Sequence, residues 1–226
     1  MNSLHPNNKE KFVFAPGCAL LLYKPELAGK VHKQLVSMFG EMDMLQTCCQ
    51  HDPLLPVNTK IINVCPGCDQ RFSNDYRNVS TVSLWELLAD SKDFQFPDYR
   101  SMRMSIIDAC PTREETDIHT AIRTLLERMN IKLVEPVNTR TNGTCCGDSF
   151  YGLVPLDEVR LQMIKRSSEM PENKVVVYCI SCAKAVYNGG KKPKYLVDLL
   201  FSEETIPGVL DPDQWHKELR EYIDKH

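Results

Sequence analysis

KVVVYCISC, residues 174–182, is a short apolar run that ends in a Cys-x-x-Cys pair. Lys174 to Tyr178 has the length and β-branched composition of a buried strand, and the first thiol follows it at once. IINVCPGC, residues 61–68, repeats the arrangement. Working outward, Phe12 to Ala15 and Met104 to Ile107 are two more strand-like runs, followed within a few residues by Cys18 and Cys110. Between the strands lie helical patterns. Leu27, Val31, Leu35 and Phe39 recur at helical spacing up to Gly40, and Ile118, Ile122, Leu125, Leu126 and Met129 do so up to Asn130. Thr112-Arg113-Glu114-Glu115 reads as a capping box that starts the second of these directly after Cys110 and Pro111. Strands alternating with helices predict an α/β fold with small, mostly parallel sheets. In such sheets ligands collect at the carboxyl ends of the strands, where these cysteines sit.

The ten cysteines form one pattern written twice. A single cysteine, Cys18, then the vicinal pair Cys48-Cys49, then the turn Cys65-Pro66-Gly67-Cys68 make the first set. Cys110, the pair Cys145-Cys146 and the turn Cys179-Ile180-Ser181-Cys182 make the second. Leu84 to Leu88 follows the first set much as Leu196 to Leu200 follows the second. The chain therefore reads as a duplication, residues 1–95 and 96–226, with the boundary near 92–101. Two differences separate the copies. Leu156, Val159, Met163 and Ile164 predict a helix between Cys146 and Cys179, whereas HDPLLPVNTK, residues 51–60, has two prolines and no such pattern. The stretch from the vicinal pair to the Cys-x-x-Cys turn spans positions 147–178 in the second copy and only 50–64 in the first, and the excess is the length of a helix with its turn. The first copy also reads Cys48-Cys49-Gln50 where the second reads Cys145-Cys146-Gly147.

Composition excludes several functions. With 42% hydrophobic residues the 226-residue chain can build a core, and a net charge of -3 offers no basic field for nucleic acid. Phe12 to Tyr23, preceded by Lys9 and Lys11, is broken by Pro16-Gly17 and too short to span a bilayer, so neither an export signal nor a membrane span is expected. The expected compartment is the reducing cytoplasm, where thiols stay free and the sequons at Asn78 and Asn142 are chance matches. No glycine-rich dinucleotide fingerprint follows a strand, so bound nicotinamide or flavin is not expected.

Three readings of the thiols compete. Buried cysteines can be small hydrophobes, but ten in a doubled spacing are not explained that way. Zinc could take Cys65, Cys68, Cys179 and Cys182, which would leave the other six thiols idle. Cubane clusters take four cysteines, and five per set suit a larger or more open cluster. His51 could donate a proton near the first set or tune it from outside. Trp215, Leu219, Tyr222 and Ile223 form a terminal helix that either docks a partner or packs on its own domain. The nine methionines are scattered, and Met38, Met129 and Met163 fall in helical core patterns.

The doubled cysteine, Cys-Cys-Gly, Cys-x-x-Cys arrangement resembles the CCG (cysteine-rich) domain family, and two copies in one chain resemble the B subunits of heterodisulfide reductases. The resemblance runs from Cys18 to Leu200, and Gln50 and the short gap between Cys49 and Cys65 depart from it. It implies that Cys18, Cys48, Cys49, Cys65 and Cys68 bind one noncubane 4Fe-4S cluster and that Cys110, Cys145, Cys146, Cys179 and Cys182 bind another. It implies further an oxidoreductase in which a small disulfide is cleaved between the clusters. Electrons would come from a partner subunit carrying ferredoxin-like clusters, together with a flavin subunit. An electron-transfer or redox-sensing iron–sulfur protein without a small substrate is the alternative.

Overall fold

The computed structural model describes residues 11–226, so Lys9 and the start of the first half lie outside the described residues. The first half runs β1 (Lys11–Ala15), α1 (Cys18–Tyr23), α2 (Pro25–Phe39), β2 (Asp43–Met44), β3 (Thr59–Asn63), α3 (Pro66–Asp75), β4 (Val79–Ser83) and α4 (Leu84–Asp90). The second runs β5 (Met102–Ile106), α5 (Thr116–Arg128), β6 (Ile131–Leu133), α6 (Leu156–Ser168), β7 (Lys174–Val177), α7 (Ile180–Asn188), β8 (Lys192–Tyr195) and α8 (Leu196–Leu200), followed by α9 (Pro212–Ile223). The sheets have the same order, β2-β1-β3-β4 and β6-β5-β7-β8, and every pairing within them is parallel. The fold is therefore α/β with two like strand–helix halves.

The central strands are the four apolar runs of the sequence. Val13, Phe14, Ile61, Ile62, Met104, Ile106 and Val175 to Val177 are all at most 1% exposed, as strands covered on both faces require. The outer strands gave no sequence signal because edges need none. β2 and β6 are two and three residues long, β4 is the polar VSTVS, and β8 carries Pro193, which only an edge tolerates. Helix α2 starts on Pro25 and ends at Gly40, whose φ of 88° stops it, while Asn130 with φ 52° follows α5. The capping box expected at Thr112 does not form. Residues 110–112 make a single 3-10 turn, and α5 begins at Thr116. Thr112 turns inward instead: its hydroxyl donates to the Ala109 carbonyl at 2.9 Å and lies 2.8 Å from the Tyr178 hydroxyl. A capping box does form at Ser83 and Glu86, starting α4.

The halves share one core. A continuous cluster of buried residues runs from Phe14, Leu27 and Trp85 in the first half to Met104, Val176 and Tyr178 in the second. Trp85, 1% exposed, meets Tyr178 edge-on at 6.4 Å across the boundary. Because α4 packs on α5, neither half can unfold without exposing the other. Denaturation should therefore give a single cooperative transition, and Trp85→Ala should lower stability by about 3–5 kcal/mol, the cost of truncating a buried aromatic. Two resolved transitions in far-UV circular dichroism would show the halves to be independent.

Candidate functional site

In each sheet the chain turns one way from the first strand and the other way from the third, so the switch point lies between β1 and β3, and again between β5 and β7. At a parallel switch point the strand ends splay and leave a crevice. Ala15 pairs with Asn63, so Cys18 and Cys65 emerge side by side. Ile106 pairs with Val176, which does the same for Cys110 and Cys179. The vicinal pairs arrive on the loops that follow β2 and β6. Each set is thus assembled from the carboxyl ends of three neighbouring strands.

Within each half the five thiols lie close enough to shift one another's ionisation, in a definite order. Cys18 and Cys49 both neighbour Cys48, and Cys68 neighbours Cys49 and Cys65. In the second half Cys110 and Cys146 neighbour Cys145, and Cys182 neighbours Cys146 and Cys179. The order is the same, position by position. Hydrogen bonds from Cys18 and Cys49 hold Cys48 well below the ordinary thiol range, and those from Cys110 and Cys146 do so for Cys145. The donors move the other way: hydrogen bonding to Cys48 raises Cys18 and Cys49, and hydrogen bonding to Cys145 raises Cys110 and Cys146, with burial adding to each rise. Cys65 caps α3 without a regular cap bond, and is lowered by Cys68 first and then, against burial, by the N–H groups of Cys68 and Gly67. Among the described residues no group of three or more His, Cys, Asp or Glu side chains is placed to hold a single metal ion. Cys65 and Cys68 sit in one set and Cys179 and Cys182 in the other, so the single tetrahedron that zinc would take from these four is not built.

Local backbone explains the two odd sequence positions. Gly147 has φ 111°, and a Cβ there would lie 2.7 Å from both the Cγ and the N of Met163 in α6. Gly147 therefore lets α6 press against the vicinal pair, and its N–H donates to the Cys145 sulfur at 3.3 Å while Ser149 Oγ lies 2.8 Å from it. Residues 50–58 hold no helix, so Gln50 has no such neighbour to clear, is exposed, and does not adopt positive φ. Its N–H still favours the Cys48 thiolate, as the N–H of Gly147 does for Cys145. Gly17, φ 80°, has a different duty: a Cβ would lie 3.1 Å from Cys65 Cβ and 3.2 Å from Cys68 Sγ. It lets β1 deliver Cys18 against the Cys-x-x-Cys turn.

The first set lines a cavity of about 240 Å³ together with Gln50, Arg71, Leu219 and Ile223. Cys145 borders a separate one of about 220 Å³ with Phe150 and Arg166. The two carboxyl edges face one another: α1, which begins at Cys18, packs on α7, and α3 packs on the turn at Cys110. Tyr195, 2% exposed, lies between them. Burial first, and then the charges of Cys65 and Cys179, push its hydroxyl well up.

Several residues around the second set carry no thiol. Asp108, 3% exposed, accepts from Arg123 at 2.6 and 2.9 Å and from the Arg140 N–H at 2.7 Å. Burial pushes its carboxyl up, but Arg123 wins and holds it below the usual range. The Tyr178 hydroxyl accepts from the Ala109 N–H at 2.8 Å and donates to Asp108 at 3.3 Å, tying the residue before Cys179 to the residue before Cys110. The first half has Val64 and Gly17 in those places. A lone carboxylate in the apolar run MSIIDAC was the signal that could have found this network. His51, read from sequence beside the first set, is exposed, and its Nε2 donates to the Ile223 carbonyl at 2.9 Å. The terminal helix packs on its own chain through Trp215, 3% exposed.

No known family profile matches the chain, and no curated protein matches it. Among solved structures, the Picrophilus torridus aspartate racemase aligns over 94% of this chain and 99% of its own, at 12% identity and a TM-score of 0.36. Likeness at that level carries no argument about this chain. Among the described residues no helix is long and apolar enough to cross a membrane.

The contrast between the vicinal pairs can be measured. Gly147→Ala should cost about 2–4 kcal/mol, combining left-handed strain with overpacking against Met163. Gln50→Gly should cost less than about 1 kcal/mol, as exposed loop changes do. Urea denaturation checks both, and equal costs would contradict the role given to α6.

Proposed function

We propose that the chain is an iron–sulfur disulfide reductase subunit resembling the B subunits of heterodisulfide reductases, with one noncubane 4Fe-4S cluster on each five-cysteine set. The observation that carries this reading is the same order of neighbouring thiols, position by position, at two switch points whose edges face each other. Five soft donors spread along a crevice fit a body of several irons, since each iron needs only one or two thiolates. Adjacent cysteines then have a use, because neighbours on the chain can serve different irons.

The reaction is R–S–S–R′ plus two electrons and two protons, giving two thiols. Bound clusters supply electrons one at a time and a soft metal that sulfur can bind. The chain's own part is to hold and tune them. Gly147 N–H and Ser149 hydroxyl hydrogen bonds withdraw charge from the Cys145 sulfur and make a cluster there easier to reduce. The Gln50 N–H does the same at Cys48 with one fewer partner. Clusters held at the two facing edges would put two one-electron stores near one two-electron bond. Electrons would arrive from a partner subunit with ferredoxin-like clusters, accompanied by a flavin subunit, because no strand is followed by a dinucleotide fingerprint.

A second reading, an electron-transfer or redox-sensing iron–sulfur protein, is favoured by one observation: Leu219 and Ile223 lie over the first set, where a substrate would have to enter. Turnover separates the two. Anaerobically loaded protein given a reduced viologen and a small disulfide should release both thiols, and nicotinamide cofactors alone should release none. Disulfides of low-pKa thiols should react faster, since their sulfur leaves more readily. A loaded, reducible protein that cleaves no disulfide even with its donor subunit would favour the second reading.

A further inference from the structure

Helix α9 crosses both thiol sets. Its start is fixed at the second. Asp211 caps it by accepting from the Gln214 N–H at 3.0 Å, and the buried Trp215 donates its indole N–H to Ser181 Oγ at 3.1 Å, inside the Cys179–Cys182 turn. His216 Nε2 lies 3.1 Å from Asp148, next to Gly147, and its ring stacks on Tyr151 at 3.9 Å. One turn on, the helix reaches the first set. Leu219 and Ile223 line the cavity of its five cysteines, the Ile223 carbonyl accepts from His51, and the His226 carbonyl accepts from the Cys48 N–H at 3.1 Å.

The two ends are held unequally. Pro212 and Trp215 are buried, whereas Leu219, Tyr222 and Ile223 are half-buried and the rest of the far half faces solvent. Local opening is cheap where few apolar contacts and exposed hydrogen bonds hold a segment. In the second half the vicinal pair is covered by α6 of the same half, packed on Gly147. The first half has no helix at residues 50–58, and α9 occupies that side. A cover that belongs to the fold has thus been replaced by one attached through its far end.

We infer that the far half of α9, Leu219 to Ile223, is a cover that lifts to admit a small disulfide to the first thiol set, turning about the end anchored by Trp215. The choice of a disulfide as the molecule admitted rests on the proposed function; the motion does not. The test therefore uses the metal-free full chain with an aromatic dicarboxylate disulfide whose thiolate product is coloured. A cysteine thiolate attacks one sulfur, the S–S bond breaks, a mixed disulfide forms, and the coloured thiolate leaves with the electron pair. Peptide mass spectrometry then gives the rate at each cysteine.

Leu219→Ala with Ile223→Ala should speed modification of Cys48 and Cys49 about tenfold, which corresponds to ~1.4 kcal/mol less holding the cover down. His51→Ala, which changes an exposed side chain outside the core, should speed them severalfold and decides the matter if the double variant does not fold. Cys145, Cys146, Cys179 and Cys182 should keep their rates in both. Unchanged rates at Cys48 and Cys49, or an equal rise at every cysteine of both sets, would overturn the inference. Neither result would touch the cluster assignment, which is read from iron content.

Discussion

Everything in this protein depends on a parallel sheet presenting two adjacent strand ends at a switch point. The Ala15–Asn63 and Ile106–Val176 pairings fix where the strands stop, and therefore where Cys18, Cys65, Cys110 and Cys179 emerge. Once those thiols are side by side, the loop after the outer strand has only to bring in a vicinal pair for the set of five to be complete. The apolar strands pay for this with burial on both faces, and the edge strands that carry those loops, β2 and β6, are two and three residues long.

The two like halves are not equal. The second set is braced by Asp108, Arg123 and Tyr178 behind it and by α6 beside it, so its thiols are held by structure on two sides. The first set has no helix at residues 50–58, is lined there by Leu219 and Ile223 of α9, and borders a cavity. Gln50 and the short gap therefore go together in one local structure. With no counterpart of α6 there is nothing for a glycine to clear, and the loop needs only to reach from β2 to β3.

The strands that were legible in the sequence are those buried on both faces, since their apolar runs owe nothing to context. The edge strands were not, because VSTVS and KPKY become strands only when a neighbour offers its hydrogen bonds. The Thr112 capping pattern was legible but misleading: the buried hydroxyl found the Ala109 carbonyl and the Tyr178 hydroxyl, and a local preference gave way to tertiary partners. Spacing alone grouped the cysteines into two sets. The contact order within each set, and the reach of α9 from Ser181 to His51, depend on residues far apart in sequence and needed the fold.

The claim on which the functional account stands is that each five-thiol set holds several irons. Chemical analysis of protein made and kept without oxygen tests it most directly. Wild-type chain should contain about eight irons with matching labile sulfide, and a chain with Cys145→Ser and Cys146→Ser should keep about four, since each set serves its own cluster. Stoichiometric zinc with no sulfide would contradict the account.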